Sequence, residues 1–339
     1  MRLENMKKIL FPALAAVALL VSCSDWTDPE NKDFLPAMSQ YDPATLAAIR
    51  DFKASEHLVT MMHINGTSTA PNRQNQHPMA MPDSVDFLLL NNSLDLHPTF
   101  VAEVAEVRKQ KGTRTLQVID YTTIRNTWET LKEEAAESGN SGDFTEEKFA
   151  EYCRMETEKR LDCCNSYGLD GVVASYLGGF DSRAAEPFVR AIDAWAQAHP
   201  DKLLFFRGYP AYVVRIENQE LVSRCRYILI LTEDAKASVS ISRMVRDQLE
   251  DGVPSDRIVL EASVPALADG GEDAQIGATA RVAAEWVVDP NTYPTVKCDK
   301  LGLALSNAQE DYFNAPTYKR VREALAILNS VPAETNPEN

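Results

Sequence analysis

The sequence predicts an α/β protein built as a (β/α)8 TIM barrel. Eight short apolar runs alternate with longer amphipathic segments between about residue 57 and residue 330. The runs are continuously apolar rather than alternating, the pattern of strands covered on both faces. The order is regular, strand then helix, and eight repeats of that unit close as a parallel barrel. A doubly wound open sheet is the other architecture with this alternation.

The expected strands are Leu58–Ile64, Val85–Leu90, Thr115–Ile119, Gly171–Tyr176, Leu203–Phe206, Tyr227–Leu231, Ile258–Ala262 and Leu301–Leu305. Helices fall between them. Phe100, Val101, Val104 and Val107 share one helical face, and Gly112 ends that helix. Asp143 with Glu146 resembles a capping box, opening a long helix through Phe149, Tyr152 and Cys153 to Leu161. Phe188, Ile192 and Trp195 form another stripe, ended before Pro200. Further helices are expected at about 212–223, 236–251, 274–287 and 316–329. Gly66–Pro82, rich in Asn, Gln, Pro and Met, is expected as a long loop where the first crossover helix would lie.

The N-terminus reads as an export signal. Arg2, Lys7 and Lys8 precede an apolar run from Ile9 to Val21, too short for a permanent membrane span. It ends in Leu20-Val21-Ser22-Cys23, which resembles the lipobox of bacterial lipoproteins, and the Cys23 thiol is the nucleophile to be acylated. The polar, acidic Ser24–Glu30 that follows resembles the tether that sends Bacteroidetes lipoproteins to the cell surface. The expected organisation is therefore a signal peptide at 1–22, a tether at 23–43, the barrel at 44–330 and a polar tail at 331–339. The expected location is the outer membrane, facing outward and held there only by lipid.

Composition narrows the partners. The chain has 34 Lys and Arg against 50 Asp and Glu, and residues 1–22 contain three of those bases and one of those acids. Without them the balance is 31 against 49, a net charge of −18, which repels phosphate backbones and makes nucleic acid an unsuitable partner. Cys153, Cys163, Cys164, Cys225 and Cys298 are odd in number and in no metal or redox spacing, and are expected mostly as small buried hydrophobes. The five histidines include no i, i+4 pair. Nothing in this pattern calls for a metal or a cofactor.

Barrel ligands sit at the strand C-termini. That rule selects Asn65, Asn91 and Asn92, Asp120 and Tyr121, Ser175 to Leu177, Arg207 and Tyr209, Glu233 and Asp234, Glu261 and Asn307. Tyr121, Trp128 and Tyr176 are candidate stacking surfaces for a sugar, and each is equally a candidate core aromatic.

The fourth strand carries the chemistry. Tyr167-Gly168-Leu169-Asp170-Gly171-Val172-Val173-Ala174-Ser175-Tyr176-Leu177 resembles the signature strand of glycoside hydrolase family 18, Y-G-x-D-G-x-D-x-D-x-E. The resemblance runs on through Asp83–Phe87 and Lys111–Thr115, and covers most of residues 45–329. It implies chitinase or endo-β-N-acetylglucosaminidase ancestry and substrate-assisted chemistry. There the last Glu protonates the glycosidic oxygen while the preceding Asp orients the substrate's N-acetyl group. Here Asp170 is retained, but Val173, Ser175 and Leu177 occupy the three later acidic positions. Leucine has no proton to give, and a missing general acid removes about 10²–10⁴-fold of rate. Asp170 itself is expected at the entrance of the strand, satisfied by backbone donors.

Three functions stay open on the sequence. The first is a non-catalytic lipoprotein that binds N-acetylglucosamine-containing glycans, N-glycans among them, through Asn65, Asn91, Tyr121, Ser175, Tyr176, Arg207, Tyr209 and Glu233. The second is an active endo-β-N-acetylglucosaminidase whose acid has moved, with Glu233, Asp234 and Glu261 as candidates. The third is a protein-interaction lipoprotein of an outer-membrane glycan-uptake complex.

Overall fold

The computed structural model describes residues 41–139, 144–178, 183–232, 235, 237–264, 278–291 and 296–330. The expected signal peptide, Cys23, nearly all of the tether and the 331–339 tail lie outside them. The described residues belong to one unit, beginning at Tyr41.

Eight parallel strands close in sequence order, β1 beside β2 and so on round to β8 beside β1. They are β1 Val59–Asn65, β2 Phe87–Asn91, β3 Arg114–Asp120, β4 Gly171–Tyr176, β5 Leu203–Gly208, β6 Tyr227–Leu231, β7 Ile258–Ser263 and β8 Lys300–Ser306. This is the (β/α)8 barrel of the sequence reading, and all eight expected runs are strands. Helix α1 (Pro43–Ala54) precedes β1. Between β1 and β2 there are only two 3-10 turns, at Gln74–Gln76 and Pro78–Ala80, so the first crossover is a loop as expected.

Besides the unexpected α1, the helices differ from expectation in three places. Helix α2 (Pro98–Lys111) stops where it should, with Gly112 in the left-handed region at φ 72°. Between β3 and β4, however, there are two helices, α3 (Tyr121–Glu137) and α4 (Glu146–Ser166). Helix α4 is capped by Thr145, whose side chain accepts from the Lys148 amide, while Asp143 lies outside the described residues. After α5 (Glu186–Ala198) and β5, the single helix expected at 212–223 is two short ones, α6 (Pro210–Val213) and α7 (Leu221–Arg224). Helices α8 (Ser238–Gln248), α9 (Ala278–Val288) and α10 (Lys319–Leu328) complete the ring. No described helix is long and apolar enough to cross a membrane.

Strand pleating sorts side chains into two layers. Met61, Leu89, Leu116, Val173, Leu229 and Val259 fill the lumen together with Phe87, Phe205 and Tyr227. Those three rings meet edge to face at the strand-start end, with centroids 5.0–6.0 Å apart. The outer layer packs against helices, and Cys153, Cys164 and Cys225 are buried there as small apolar groups.

The retained part of the signature strand belongs to this framework. Asp170 accepts from the Thr115 amide at 2.8 Å and pairs with Arg108 Nε at 2.8 Å, below the start of β4. A Cβ on Gly171 would lie 2.0 Å from the Leu203 carbonyl oxygen, so β4 can approach β5 only with glycine there. Asp-Gly therefore serves backbone packing at the strand-start end of the barrel.

Candidate functional site

The strand C-termini surround an open cavity of about 820 Å³. Register sets its floor. Ser175 on β4 is level with Asp120 on β3 and with Arg207 on β5. Inward alternation on β4 runs Gly171, Val173, Ser175, so Ser175 points into the lumen where the family signature would place a carboxylate.

A chain of polar contacts crosses that floor. Ser175 Oγ donates to Asp120 Oδ2 at 2.7 Å and accepts from Arg207 Nη1 at 3.2 Å. Arg207 then reaches across the lumen to β7, with Nη2 2.6 Å from Glu261 Oε1 and Nε 2.8 Å from Oε2. On the other side, His63 Nε2 lies 3.3 Å from Glu261 Oε2 and its Nδ1 lies 3.4 Å from Asn91 Oδ1. Asn91 Nδ2 donates to Asn65 Oδ1 at 3.3 Å. Six strands thus contribute to one connected array: β1, β2, β3, β4, β5 and β7.

Its two carboxylates are both committed as acceptors. Glu261 is fully buried. Burial alone would push its carboxyl up, but the charges and hydrogen bonds of His63 and Arg207 outweigh that and hold it at about 2. Glu261 is therefore ionised at neutral pH and cannot donate a proton to a leaving group. Asp120 Oδ1 caps α3, accepting from the Thr123 amide at 2.7 Å and the Thr123 hydroxyl at 3.0 Å, while Oδ2 accepts from the Ser175 hydroxyl.

Around this floor the walls are rich in amides: Asn65, Asn91, Asn92 and Asn307 all line the cavity. Leu177, at the position of the family's acid, and Val118 add an apolar patch. Among the described residues that line it there is no Phe, Tyr or Trp.

The expected mouth residues divide accordingly. Asn65, Asn91 and Arg207 line the cavity, and Ser175 lies under it, fully buried. Tyr121 and Tyr176, expected at the mouth, are instead buried together on the outer face of the barrel, with ring centroids 5.4 Å apart. The reason is pleating: Tyr176 is one residue out of phase with Ser175 and points to the helices. Trp128 packs between Phe144, Phe149 and Tyr152 and is likewise a core aromatic. Tyr209 follows β5 with its ring 6.0 Å from Tyr212, and does not line the cavity. Glu233 and Asp234 lie outside the described residues. Sequence reasoning passed over His63, although Met61, His63 and Asn65 share the inward face of β1 and alternation alone could have found it. Arg160 on α4 and Ser306 on β8 also line the cavity and were passed over. Among the described residues, no group of His, Cys, Asp or Glu is arranged to hold a metal ion.

Comparison with known proteins agrees with this architecture. Residues 27–327 match the family model described as glycoside hydrolase family 18, BT1044-like. Solved structures with the same fold include a selenomethionine Glu-to-Gln variant of BT1044, at 18% identity and TM-score 0.57, covering 85% of this chain and 92% of that one. Another is an endo-β-N-acetylglucosaminidase from Cordyceps militaris, at 14% identity and TM-score 0.55, covering 85% and 97%. A doubly substituted form of the Cordyceps enzyme, in complex with fucosyl-N-acetylglucosamine-asparagine, matches at 13% identity and TM-score 0.55, covering the same shares. No curated protein sequence matches the chain.

Proposed function

Since the chain belongs to the BT1044-like branch of glycoside hydrolase family 18, we propose that it binds N-acetylglucosamine-containing glycans at its barrel mouth without hydrolysing them. The observation that carries this reading is the Arg207 guanidinium, held between Ser175 and Glu261. Family 18 chemistry develops positive charge at the sugar and needs carboxylates beneath it. In this chain the centre of the corresponding floor is the Arg207–Glu261 ion pair. Glu261 is spent on Arg207 and held ionised, and Asp120 on β3 already accepts from Ser175 and Thr123.

What remains suits ground-state binding. Amides that both donate and accept match the hydroxyls and acetamido groups of a sugar, and an open cavity of about 820 Å³ is in the range of small-ligand sites. That openness also favours the glycan reading over an interaction protein with an empty, filled-in barrel. The enzyme of the Cordyceps complex holds a fucosylated N-acetylglucosamine on asparagine, and N-glycans head the list of ligands to try. The same proposal includes the anchor: Cys23 acylated, the tether leading to the barrel, and the protein on the outer surface of a Bacteroidetes outer membrane beside a glycan-uptake complex.

Titration calorimetry against N-glycans and chitin fragments tests the reading. Saturable binding that weakens several-fold in Asn91→Ala supports it; no binding across the panel sinks it.

A further inference from the structure

A second cavity, of about 410 Å³, opens at the opposite end of the barrel, among the strand starts. Its wall carries Lys53, His57, Arg114 and Arg226 against two carboxylates, Asp86 and Glu56. Several of these groups are already committed. His57 Nε2 lies 3.0 Å from Asp86 Oδ1, and Asp86 Oδ2 accepts from the Thr60 amide at 2.8 Å. Lys53 Nζ donates to the Val85 carbonyl at 2.6 Å and to the Thr113 hydroxyl.

Arg114 and Arg226 are not committed in this way. Both are exposed, and neither has a carboxylate partner among the described residues. The Arg226 guanidinium lies 5.5 Å from the Tyr227 ring, against the cavity. Tyr227 gives an independent sign. It lines the cavity, and its hydroxyl makes no hydrogen bond among the described residues, so the O–H can meet a ligand there. Phe would fill the same place in the Phe87–Phe205–Tyr227 cluster but would offer the cavity no donor.

We infer that this cavity is a second binding site, taking a phosphate or sulfate group between the guanidinium groups of Arg114 and Arg226, with the Tyr227 hydroxyl as a third donor. Two guanidinium forks and one phenol present donors, while of the two carboxylates Asp86 is already held by His57 and the Thr60 amide and Glu56 is exposed to solvent, so the free donors suit a tetrahedral oxyanion. The volume exceeds that of the bare ion and leaves room for one sugar ring carrying it as an ester. The site is on the far end from the mouth and stands or falls independently of the glycan reading.

The test is calorimetry on the full chain at constant ionic strength, with inorganic phosphate, inorganic sulfate, a sugar 6-phosphate and a sugar 6-sulfate as separate titrants. Saturable binding is expected, weakened about tenfold or more by Arg114→Gln or Arg226→Gln, because each removes charge-assisted hydrogen bonds. Tyr227→Phe keeps the ring packing and is expected to weaken binding several-fold while the melting temperature holds. Equal affinity for ion and ester assigns the site to the free ion, and tighter ester binding assigns it to the ester; both uphold it. No saturable binding by any of the four, or binding unchanged in both arginine variants, overturns it.

Discussion

Arg207 grips Glu261 with two prongs across the barrel lumen, 2.6 Å and 2.8 Å long, and Glu261 has no exposed surface. The pair turns the most buried acid of the mouth into a structural anion. Its carboxyl is held at about 2, against the ordinary glutamate value of 4.5, despite the opposing effect of burial. A carboxyl held below its unfolded value contributes stability that is complete above about 4.5. That stability is lost as pH falls toward about 2. It amounts to roughly 3 kcal/mol. Urea unfolding between pH 5 and 2 should therefore show an acid limb that flattens in Glu261→Gln; an identical limb in the variant would show that other carboxylates cause it.

Restoring the missing acids should not restore hydrolysis. In a triple variant, Val173→Asp with Ser175→Asp and Leu177→Glu, the new Asp at 175 would face Arg207, whose Nη1 now lies 3.2 Å from the serine oxygen. The new Asp at 173 would enter a lumen of Met61, Leu89, Leu116 and Phe205 with no partner there. The expected outcome is turnover at the parent's background and a loss of several kcal/mol in stability. Chitooligosaccharide cleavage by the triple variant would mean that the rest of the site is still built for catalysis.

Asp170 should behave as a fold residue. Removing its bonds to Arg108 and the Thr115 amide by Asp170→Ala is expected to cost about 1.5–3 kcal/mol, since both involve a charged acceptor. Glycan affinity measured on the folded fraction should not change. A variant with parental stability and weakened binding would relocate Asp170 to the site.

Gln117 offers a stabilising change. It is fully buried on β3, one residue out of phase with the lumen-facing Leu116, and neither amide atom has a protein partner among the described residues. Gln117→Leu should raise the unfolding free energy by about 1–3 kcal/mol, read as a higher urea midpoint at unchanged slope. A lower midpoint would reveal that the amide is satisfied in solution.

The strands were legible because each is a compact apolar run with turn residues on both sides. Gly171–Tyr176 and Tyr227–Leu231 have the expected bounds to the residue. Helix α3 was missed because it starts directly at the end of β3, with Asp120 as its cap. Its buried stripe is only Tyr121, Ile124 and Trp128 among charged neighbours. The same omission left Tyr121 and Trp128 looking like mouth aromatics. The amide wall was legible from strand ends alone. The Arg207–Glu261 pair was not: β5 and β7 are not neighbours in the sheet, and the two side chains meet only across the closed lumen.

Binding and the absence of turnover are tested together by one experiment. The purified protein is incubated with the tightest-binding N-acetylglucosamine-containing oligosaccharide from the calorimetric panel. The bound glycan is then recovered and weighed by mass spectrometry. Recovery of the intact oligosaccharide at its original mass is expected after prolonged incubation. A fragment bearing a new reducing-end N-acetylglucosamine, formed in proportion to protein and abolished by Glu261→Gln, would contradict it and place a working acid at the mouth.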